Sequence, residues 1–439
     1  MDLSQAVEDG RGDALHLERL YRQSRADGRG EDFGEAVALL HKAHPGDQLV
    51  RAWALRLELE ALPDPPGVKL GGGDAGPWRL IAFGAGCLAI VFALLSWGGP
   101  PVPIPGEAHP AFWIGWAPAA AMAILALGAA VDRGRMRRYG AAGGVVALCG
   151  LVALVLGWGR SDQGAVLMTL HLPLVVWGAV GFAVVGGREN VQGQAYAFMV
   201  KSAETLLAAG IFCGAGMLLF GLSIGIFGVL GVRPPDGLGR LAGAMGLGAV
   251  PLMALGSAFD LRRPPLGQNW EQGMARLLKI VARAVLPLAL TVLAVYVLYF
   301  VPAYFWRPFE ERQVLIVYNA TIMGVLLMVV CVTAGAGRED WGPVRWAVAA
   351  VLALTLLLNV YAGAAVLYRI AEMGLTPNRH AVLGWNLVTL FMLIILGDGL
   401  RRSWGGDWAG GLRRRGLFLL GPAWGWGVWV GFAVGPLGL

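Results

Sequence analysis

The sequence predicts an all-α fold, a polytopic membrane helix bundle of about 11 spans preceded by a small cytoplasmic helical domain. Three observations predict it. Of 439 residues, 56% are hydrophobic and only 15% are charged, with a mean hydropathy of +0.61, whereas soluble domains carry about 25% charged residues. Apolar segments of about 20 residues, the length that crosses a bilayer, recur along most of the chain. The first 62 residues instead mix apolar and charged residues at helical spacing.

Residues 1–62 are predicted to form a soluble domain of three short helices. Leu17 and Tyr21 mark the first apolar pattern, Phe33 and Val37 mark the second, and Trp53 lies in the third. Breaks fall at residues 28–30 and 44–46, where glycine or proline interrupts the pattern. Three short helices bury only a small core, so we expect this domain to be weakly stable alone or to bind a protein partner. A Pro/Gly linker follows at residues 63–77.

Charge separates the two parts of the chain. Residues 1–77 carry nine Lys or Arg and fourteen Asp or Glu, a net of −5, which leaves +11 for the remainder of a chain whose total is +6. The basic excess therefore belongs to the membrane part, where short-loop cations orient helices and contact anionic lipid headgroups at the cytoplasmic face. This distribution does not favour a nucleic-acid partner.

A transmembrane helical domain is predicted over residues 78–435. Its candidate spans are 78–98, 111–131, 140–158, 164–186, 205–231, 239–258, 280–305, 313–335, 346–367, 381–398 and 416–434. The loops after the even-numbered spans hold most of the Lys and Arg residues, so the positive-inside rule places the N-terminus in the cytoplasm and the C-terminus outside. No basic start with a following apolar stretch marks a cleavable signal peptide.

Signatures of catalysis, cofactors and metal binding are not found in the sequence. The four cysteines lie in apolar runs without CxxC spacing, and His41 with His44 forms at most a metal half-site, more simply explained as two surface histidines. No P-loop, GxSxG elbow, HExxH or dinucleotide fingerprint occurs in a supporting context. We therefore expect neither an enzyme nor a bound cofactor.

The stretch GLTPNRH at residues 374–380 predicts a tight connection between spans nine and ten. Gly374 suits the left-handed residue that ends a helix. Thr376 is a good N-cap for the next helix, and Pro377 suits its first position. Asn378 and Arg379 then lie in the first turn, at the membrane surface, and Arg379 is expected to form an exposed pair with an acidic residue of the preceding helix.

That acidic residue is Glu372. Arg369 and Glu372 stand at i and i+3 on the preceding helix, a spacing that also allows the two to pair with each other. On a functional interpretation, Arg379 instead recruits an anion or a partner at the outer mouth of spans nine and ten.

These residues carry a family resemblance. GLTPNRH follows Asn359-Val-Tyr361, and the chain also contains YAFMVKSAETL from Tyr196 and VPLMAL from Val250. In this it resembles the bacterial inner-membrane proteins of domain of unknown function 4153, which have a GLT-x-NR-aromatic turn after an N-x-Y-rich helix. The resemblance covers roughly residues 190 to 400, with His380 in place of the aromatic residue. It implies a polytopic inner-membrane fold and no established activity.

Polar groups at membrane depth are the remaining candidates for function. Lys201 and Glu204 stand at i and i+3 at the start of span five, either as a paired charge at the cytoplasmic helix end or as part of a cavity or proton path. Asn319 and Asn359 fall near mid-depth, as does Asn386, where amides hydrogen-bond between helices. The alternative is a polar pore formed by spans eight to ten.

Further donors for such a pore are Tyr318 and Tyr361. His171 is interpreted as a ring at the membrane interface. The cations Arg276, Lys279 and Arg283 at the entry of span seven are expected to anchor lipid headgroups. Glycines 210, 214, 221 and 225 predict small-residue faces on which helices approach closely. A broken helix of the transporter kind is an alternative for the glycine-rich sixth span, around residues 243–251.

Two functions fit these residues. The first is a permease or channel-like transporter whose substrate passes between spans five and ten. The second is a membrane scaffold or sensor that couples an envelope signal to the N-terminal domain. A membrane-embedded enzyme acting on lipid fits less well, because the sequence lacks a cluster of His, Asp and Glu near one interface.

Overall fold

The computed structural model describes residues 3–26, 30–61, 75–96, 162–233, 237–259, 263–268, 273–334 and 342–434, with isolated residues between 140 and 147. The chain divides into two compact units, Met1–Ala75 and Gly76–Leu439. All regular structure in the described part of the chain is helical, so the fold is all-α as predicted. The predicted linker at 63–77 lies almost entirely outside the described residues.

The described part of the first unit contains four helices, not the predicted three. They are α1 (Leu3–Asp9), α2 (Ala14–Ala26), α3 (Gly30–Ala43) and α4 (Gln48–Ala61). The expected first helix divides because Gly12 adopts a left-handed φ of 89°. Asp13 then starts α2, its Oδ1 accepting hydrogen bonds from the N–H groups of Leu15 and His16 at 2.9 and 3.1 Å.

An aromatic triad forms the core of the first unit. The rings of Tyr21, Phe33 and Trp53 lie with centroids 5.5 to 5.7 Å apart, in tilted or edge-to-face arrangements that aromatic pairs prefer. Glu18 binds two guanidiniums at the surface, those of Arg22 and Arg56, each at 2.8 Å. These hydrogen bonds hold the pKa of the Glu18 carboxyl below its usual value.

The second unit is built from long apolar helices. They are α5 (Ala75–Ser96), α6 (Asp162–Val185), α7 (Val191–Val229), α8 (Leu238–Ala258), α9 (Gly273–Val295), the short α10 (Arg307–Glu310), α11 (Arg312–Ala334), α12 (Gly342–Met373), α13 (Pro377–Arg402), the short α14 (Trp408–Arg413) and α15 (Gly416–Trp429). One π-helical turn, Tyr296–Phe300, continues α9 to Ala303, and a second, Val430–Val434, continues α15.

Seven helices of the described residues are long and apolar enough to cross a membrane, and Ile81–Leu94 and Leu170–Val185 are shorter apolar helices. The chain is an integral membrane protein. The first, the fourth and all later predicted spans each overlap one of these helices, although the helix of the fifth begins at Val191, 14 residues before the predicted span. The predicted span 111–131 and most of 140–158 lie outside the described residues. The sixth predicted span is one continuous helix that contains Pro251, so a broken helix there is wrong.

The largest core of this unit lies around α12. Its fully buried residues include Val348, Val351 and Ala362 of α12, Ile322 of α11 and Leu396 of α13, and it extends to α9 and to the first half of α7. Alanine and valine allow α12 to lie close to both neighbours because their side chains are short. A smaller cluster joins Ile81 and Leu88 of α5 to Leu252 of α8.

Among the described residues, the glycine face predicted in α7 is not a close contact. A Cβ atom built on Gly210, Gly214, Gly221 or Gly225 meets no other described group within 4 Å, and predicted spans two and three lie largely outside the described residues. Close backbone approaches occur at Gly248 of α8, whose Cβ would lie 2.5 Å from Leu88 O, and at Gly416 of α15, whose Cβ would lie 2.2 Å from Gln192 O.

A candidate functional site in the first half of helix α7

Helix α7 begins at a residue with unusual backbone geometry. Asn190, the N-cap, has a φ of 51°, and it is the one described non-glycine residue with a positive φ. Asparagine tolerates this left-handed conformation better than most residues. Its Oδ1 accepts a hydrogen bond from Gly193 N at 3.1 Å, which satisfies one of the free N–H groups at the helix start. The start of α7 is therefore fixed in both position and direction.

Two glutamines in the first turn of α7 connect it to other elements. Gln192 Oε1 accepts a hydrogen bond from Leu417 N, at the start of α15, at 2.8 Å. Gln194 Oε1 accepts one from Leu266 N, in the short 3₁₀ helix Pro265–Gly267, at 3.1 Å. Because a helix start leaves N–H groups without partners, Gln192 also caps α15.

Tyr196 follows one turn later and is buried. Its hydroxyl forms a short hydrogen bond with the hydroxyl of Thr333 and approaches Val330 O at 3.3 Å, both in the last turns of α11. The carbonyl of Thr333 accepts two hydrogen bonds from the Arg413 guanidinium, at 2.7 and 3.1 Å. A continuous polar chain therefore runs from α7 through the end of α11 to α14.

The predicted pair Lys201 and Glu204 forms a buried ion pair. Lys201 Nζ lies 2.7 Å from Glu204 Oε2, and the two residues are 3% and 1% exposed. Lys201 Nζ also donates to Ala258 O, the last carbonyl of α8, at 3.3 Å. Glu204 Oε1 is buried and has no hydrogen-bond partner among the described residues. One carboxylate oxygen is thus paired, whereas the other is free to accept a proton or a ligand donor.

The surroundings of Glu204 place the pair near one end of the bundle. Lys279, near the start of α9, and Cys331, near the end of α11, are both close enough to interact with it electrostatically. The pair therefore lies beside the end of α8 and near the end of α11, but about three turns inside α7, so its predicted position at the end of its own helix is wrong. Protein covers both side chains. One carboxylate between two ammonium groups is a site where a change of protonation alters the local charge balance.

The polar residues of α12 and α13 form contacts between helices, with one correction. Asn359 Nδ2 donates to Thr389 Oγ1 at 2.7 Å, a buried bond from α12 to α13, as expected of an amide between helices. Asn319 and Asn386 instead donate to carbonyls one turn earlier in their own helices, Leu315 O and Val382 O, each at 2.9 Å. For their amide groups the interhelical prediction is wrong.

Tyr361, a pore candidate, and Arg369 also bind backbone carbonyls. Tyr361 donates to Phe305 O and Arg369 Nη1 to Glu310 O, the latter at 2.8 Å, so both hold the segment around α10. Glu372 is exposed, and the described residues contain no ion pair that involves it. The expected pairs of Glu372 with Arg369 and with Arg379 are therefore not formed.

The GLTPNRH turn has the predicted backbone geometry. Gly374 has a φ of 76°, and its N–H donates to Ile370 O at 2.9 Å. Thr376 is the N-cap of α13, its side chain accepting from Arg379 N at 3.3 Å, and Pro377 is the first helical residue. Arg379 has a role that was not predicted, because its Nη1 donates to Met373 O at 2.9 Å and Gly374 O at 2.6 Å. Its side chain therefore caps α12, while Asn378 is only half-buried beside it.

His171, predicted to be a ring at the membrane interface, is buried within the protein. Its Nε2 accepts a hydrogen bond from Trp385 Nε1 at 2.8 Å, and its Nδ1 lies 2.7 Å from Leu167 O. Trp424 and Trp426 likewise donate to Val175 O and Ala381 O. These indoles join α13 and α15 to their neighbours.

The ten candidate residues do not meet in one cavity. Lys201 and Glu204 lie together, Asn359 bonds to α13, and the other seven lie on α11, on the outer part of α12 or at the turn after it. Sequence reasoning missed Gln192, Tyr196, Thr333 and Arg413. The one signal that pointed toward them was the density of polar residues in YAFMVKSAETL, since the partners come from distant segments.

Comparison with protein-family models, curated proteins and solved structures gave no match. The resemblance to the family of domain of unknown function 4153 therefore remains a prediction.

Proposed function

We propose that this membrane protein is a permease in which Glu204 accepts and releases a proton at one end of the transport path. The observation that carries the proposal is the buried Lys201–Glu204 pair, whose second carboxylate oxygen has no partner among the described residues. Ionisable groups buried in membrane proteins are costly to maintain and commonly belong to ion or substrate paths.

The chemistry of the pair is suited to coupling the protonation of Glu204 to a change in the contact between α7 and α8. With Glu204 ionised, its Oε2 holds the Lys201 ammonium, which also donates to the last carbonyl of α8. Protonation of Glu204 removes the attraction that keeps Lys201 in this position. Because Lys201 also donates to the last carbonyl of α8, a change in its pairing with Glu204 alters the contact between α7 and α8.

Proteoliposomes test the proposal. The full chain is reconstituted with a pH-sensitive dye inside, and proton flux is followed while amino acids, sugars, organic acids and metal ions are added in turn. We expect at least one solute to drive proton flux in the wild type and Glu204→Gln to abolish it. Glu372→Gln, a change at an exposed carboxylate, is the matched control and should leave flux intact. A folded wild-type protein that moves no protons with any of these solutes contradicts the proposal.

The alternative function is a membrane scaffold or sensor, and the separate first unit favours it. That unit has its own aromatic core and a charge opposite to that of the membrane unit. Deleting residues 1–70 distinguishes the two functions, because a permease should keep its flux in the shortened protein. A sensor should instead lose its response to the envelope signal.

The proposed location is the bacterial inner membrane, with the N-terminus in the cytoplasm and the C-terminus outside. The distribution of Lys and Arg and the family resemblance both support it. Reporter fusions after Arg263 and Arg415 should report cytoplasm, whereas a fusion after Arg379 should report the outside. The opposite result at both Arg263 and Arg415 would overturn this orientation.

A further inference from the structure

A lateral groove opens between α12 and α13. Its volume is about 570 Å³, within the size range of small-molecule sites. Its walls are apolar over most of their length, with an arginine and a tryptophan at one end. The lining includes Ala349, Ala353, Leu393 and Gly397, with Arg401 and Trp404 at the polar end.

The groove exists because small residues stand where a larger side chain would fill it. Ala349 and Ala353 lie one turn apart on α12, and Gly397 lies opposite on α13. A Cβ atom built on Gly397 meets no described group within 4 Å, so the space beside it is open. The inner end is fixed by the bond between Asn359 and Thr389, which holds the two helices together one turn beyond Leu356.

The length of the groove matches one lipid chain in one leaflet. From Leu393 to Arg401 the wall of α13 extends about 12 Å at a rise of about 1.5 Å per residue, and Trp404 lies just after the end of this helix. Half of a bilayer's hydrocarbon core is about 15 Å. The groove therefore runs along the helices for about the depth of one leaflet, with its polar end toward the membrane surface.

The polar end carries an excess of positive charge. Asp398 is the single carboxylate that binds Arg401, Arg402 and Arg415, at 3.3, 2.9 and 3.1 Å, so this cluster has two guanidiniums more than carboxylates. The Arg401 side chain is 77% exposed, and such an exposed pair stabilises little. A phosphate that replaces the Asp398 contact of Arg401 therefore displaces a weak bond.

Arg345 adds a fourth cation to this end. Its guanidinium carbon lies 4.5 Å from the centre of the Trp404 ring, and its Nη1 donates to Trp404 O. Trp404 also packs edge-to-face on Trp346, with centroids 4.7 Å apart. Tryptophan with arginine at the end of an apolar groove is the combination that lies at the level of lipid headgroups.

We propose that this groove binds one anionic phospholipid, with an acyl chain between α12 and α13 and its phosphate at Arg401 and Arg345. The site is independent of the proposed transport function. Charge complementarity selects an anionic headgroup over a zwitterionic one, and the apolar length of the groove selects a lipid over a free phosphate.

Native mass spectrometry of the detergent-solubilised full chain tests the proposal. Phosphatidylglycerol and phosphatidylcholine with identical chains are titrated separately. We expect one phosphatidylglycerol to bind tightly and phosphatidylcholine to bind at least fivefold more weakly. Arg401→Ala should weaken phosphatidylglycerol about fivefold, equivalent to the ~1 kcal/mol of one arginine near an anionic lipid. Arg402→Ala is the matched control, because Arg402 shares Asp398 but does not line the groove.

A steric variant tests the apolar part of the site. Gly397→Leu should fill the groove and remove the tight lipid, whereas Gly363→Leu, at an equally open glycine outside the groove, should not. Equal binding of the two lipids, equal effects of Arg401→Ala and Arg402→Ala, or a tight lipid retained by Gly397→Leu would each overturn the proposal. A wild-type protein that is a dimer and becomes a monomer with Gly397→Leu would also overturn the proposal, because a second copy of the chain would then be the occupant of the groove.

Discussion

In helix α7, residues 191–208 and residues 209–229 share one axis but lie in different environments. The first part carries Gln192, Gln194, Tyr196, Lys201 and Glu204, and four other elements contact these side chains. The second part is almost wholly apolar and largely exposed, with Met217 and Leu219 at 70% and 65%.

The difference shows what hydropathy measures in this molecule. The most apolar 18-residue window of α7 has a mean hydropathy of 2.1 and is only 6% buried inside the protein. Because lipid is as apolar as leucine, hydrophobic residues gain little by leaving it for the protein interior. Polar residues, in contrast, need partners there. In α7 the polar stretch therefore marks the protein interior and the apolar stretch marks the lipid-facing surface.

The largest expected effect comes from removing one member of the ion pair. Glu204→Ala breaks the buried pair with the Lys201 ammonium, and loss of one member of a buried ion pair costs about 3–5 kcal/mol in the free energy of unfolding. The double variant Lys201→Met with Glu204→Leu should recover most of that loss. Thermal unfolding in detergent measures both, with Met217→Ala in the second half as the control. A single variant as stable as the control would contradict the burial of the pair.

A cation introduced into the second half of α7 should have the next largest effect, on membrane insertion. Leu219 lies near the centre of the apolar stretch, so Leu219→Lys should raise the free energy of membrane insertion by about 3 kcal/mol. The fraction of integrated protein, from carbonate extraction, measures this, with Leu219→Met as the control. Normal integration of Leu219→Lys would mean that this face lines water instead of lipid, and the comparison between the two halves would fail.

Two glycines should differ in their tolerance of a methyl group: Gly416, which packs against the first half of α7, and Gly214, which belongs to the second half. In Gly416→Ala the new Cβ would lie 2.2 Å from Gln192 O and 2.4 Å from Tyr196 N, so α15 must shift, at about 1–3 kcal/mol. Gly214→Ala meets no described group and gains up to about 1 kcal/mol of helix propensity. Melting temperatures should therefore move in opposite directions, and a fall for both would contradict the open space at Gly214.

The smallest expected effects come from hydroxyl groups. Tyr196→Phe removes the bonds to Thr333 and Val330 O, and should cost about 1 kcal/mol. Ser223→Ala removes a bond within the exposed half, from Ser223 Oγ to Leu219 O, and should change stability by less than about 0.5 kcal/mol. Denaturation of both variants in the same detergent measures their two losses of stability. Equal losses would mean that the second half is also packed against protein.

The spans and the capped turn were predictable because their causes are local. An apolar run fixes each helix, and Gly374, Thr376 and Pro377 set their own backbone geometry whatever surrounds them. The site was predictable only in part. Lys201 and Glu204 are one turn apart, so their pairing follows from spacing, whereas Tyr196 and Thr333 are separated by 137 positions and meet only through packing. Arg379 is a second residue whose partner the sequence could not predict. A cation near a helix end can bind either a carboxylate or the last carbonyls of the helix, and the folded geometry determines which of the two it binds.

The three-residue turn between α12 and α13 has a mechanical consequence. It joins the two helices at one end, and the Asn359–Thr389 bond joins them again about 20 Å further along. At the other end, Arg345 Nη1 near the start of α12 donates to Trp404 O just after α13, so the two helices are joined at both ends and near the middle. The lateral groove lies between the Asn359–Thr389 bond and the Arg345–Trp404 contact, so whatever occupies the groove sets the separation of α12 and α13 along that segment.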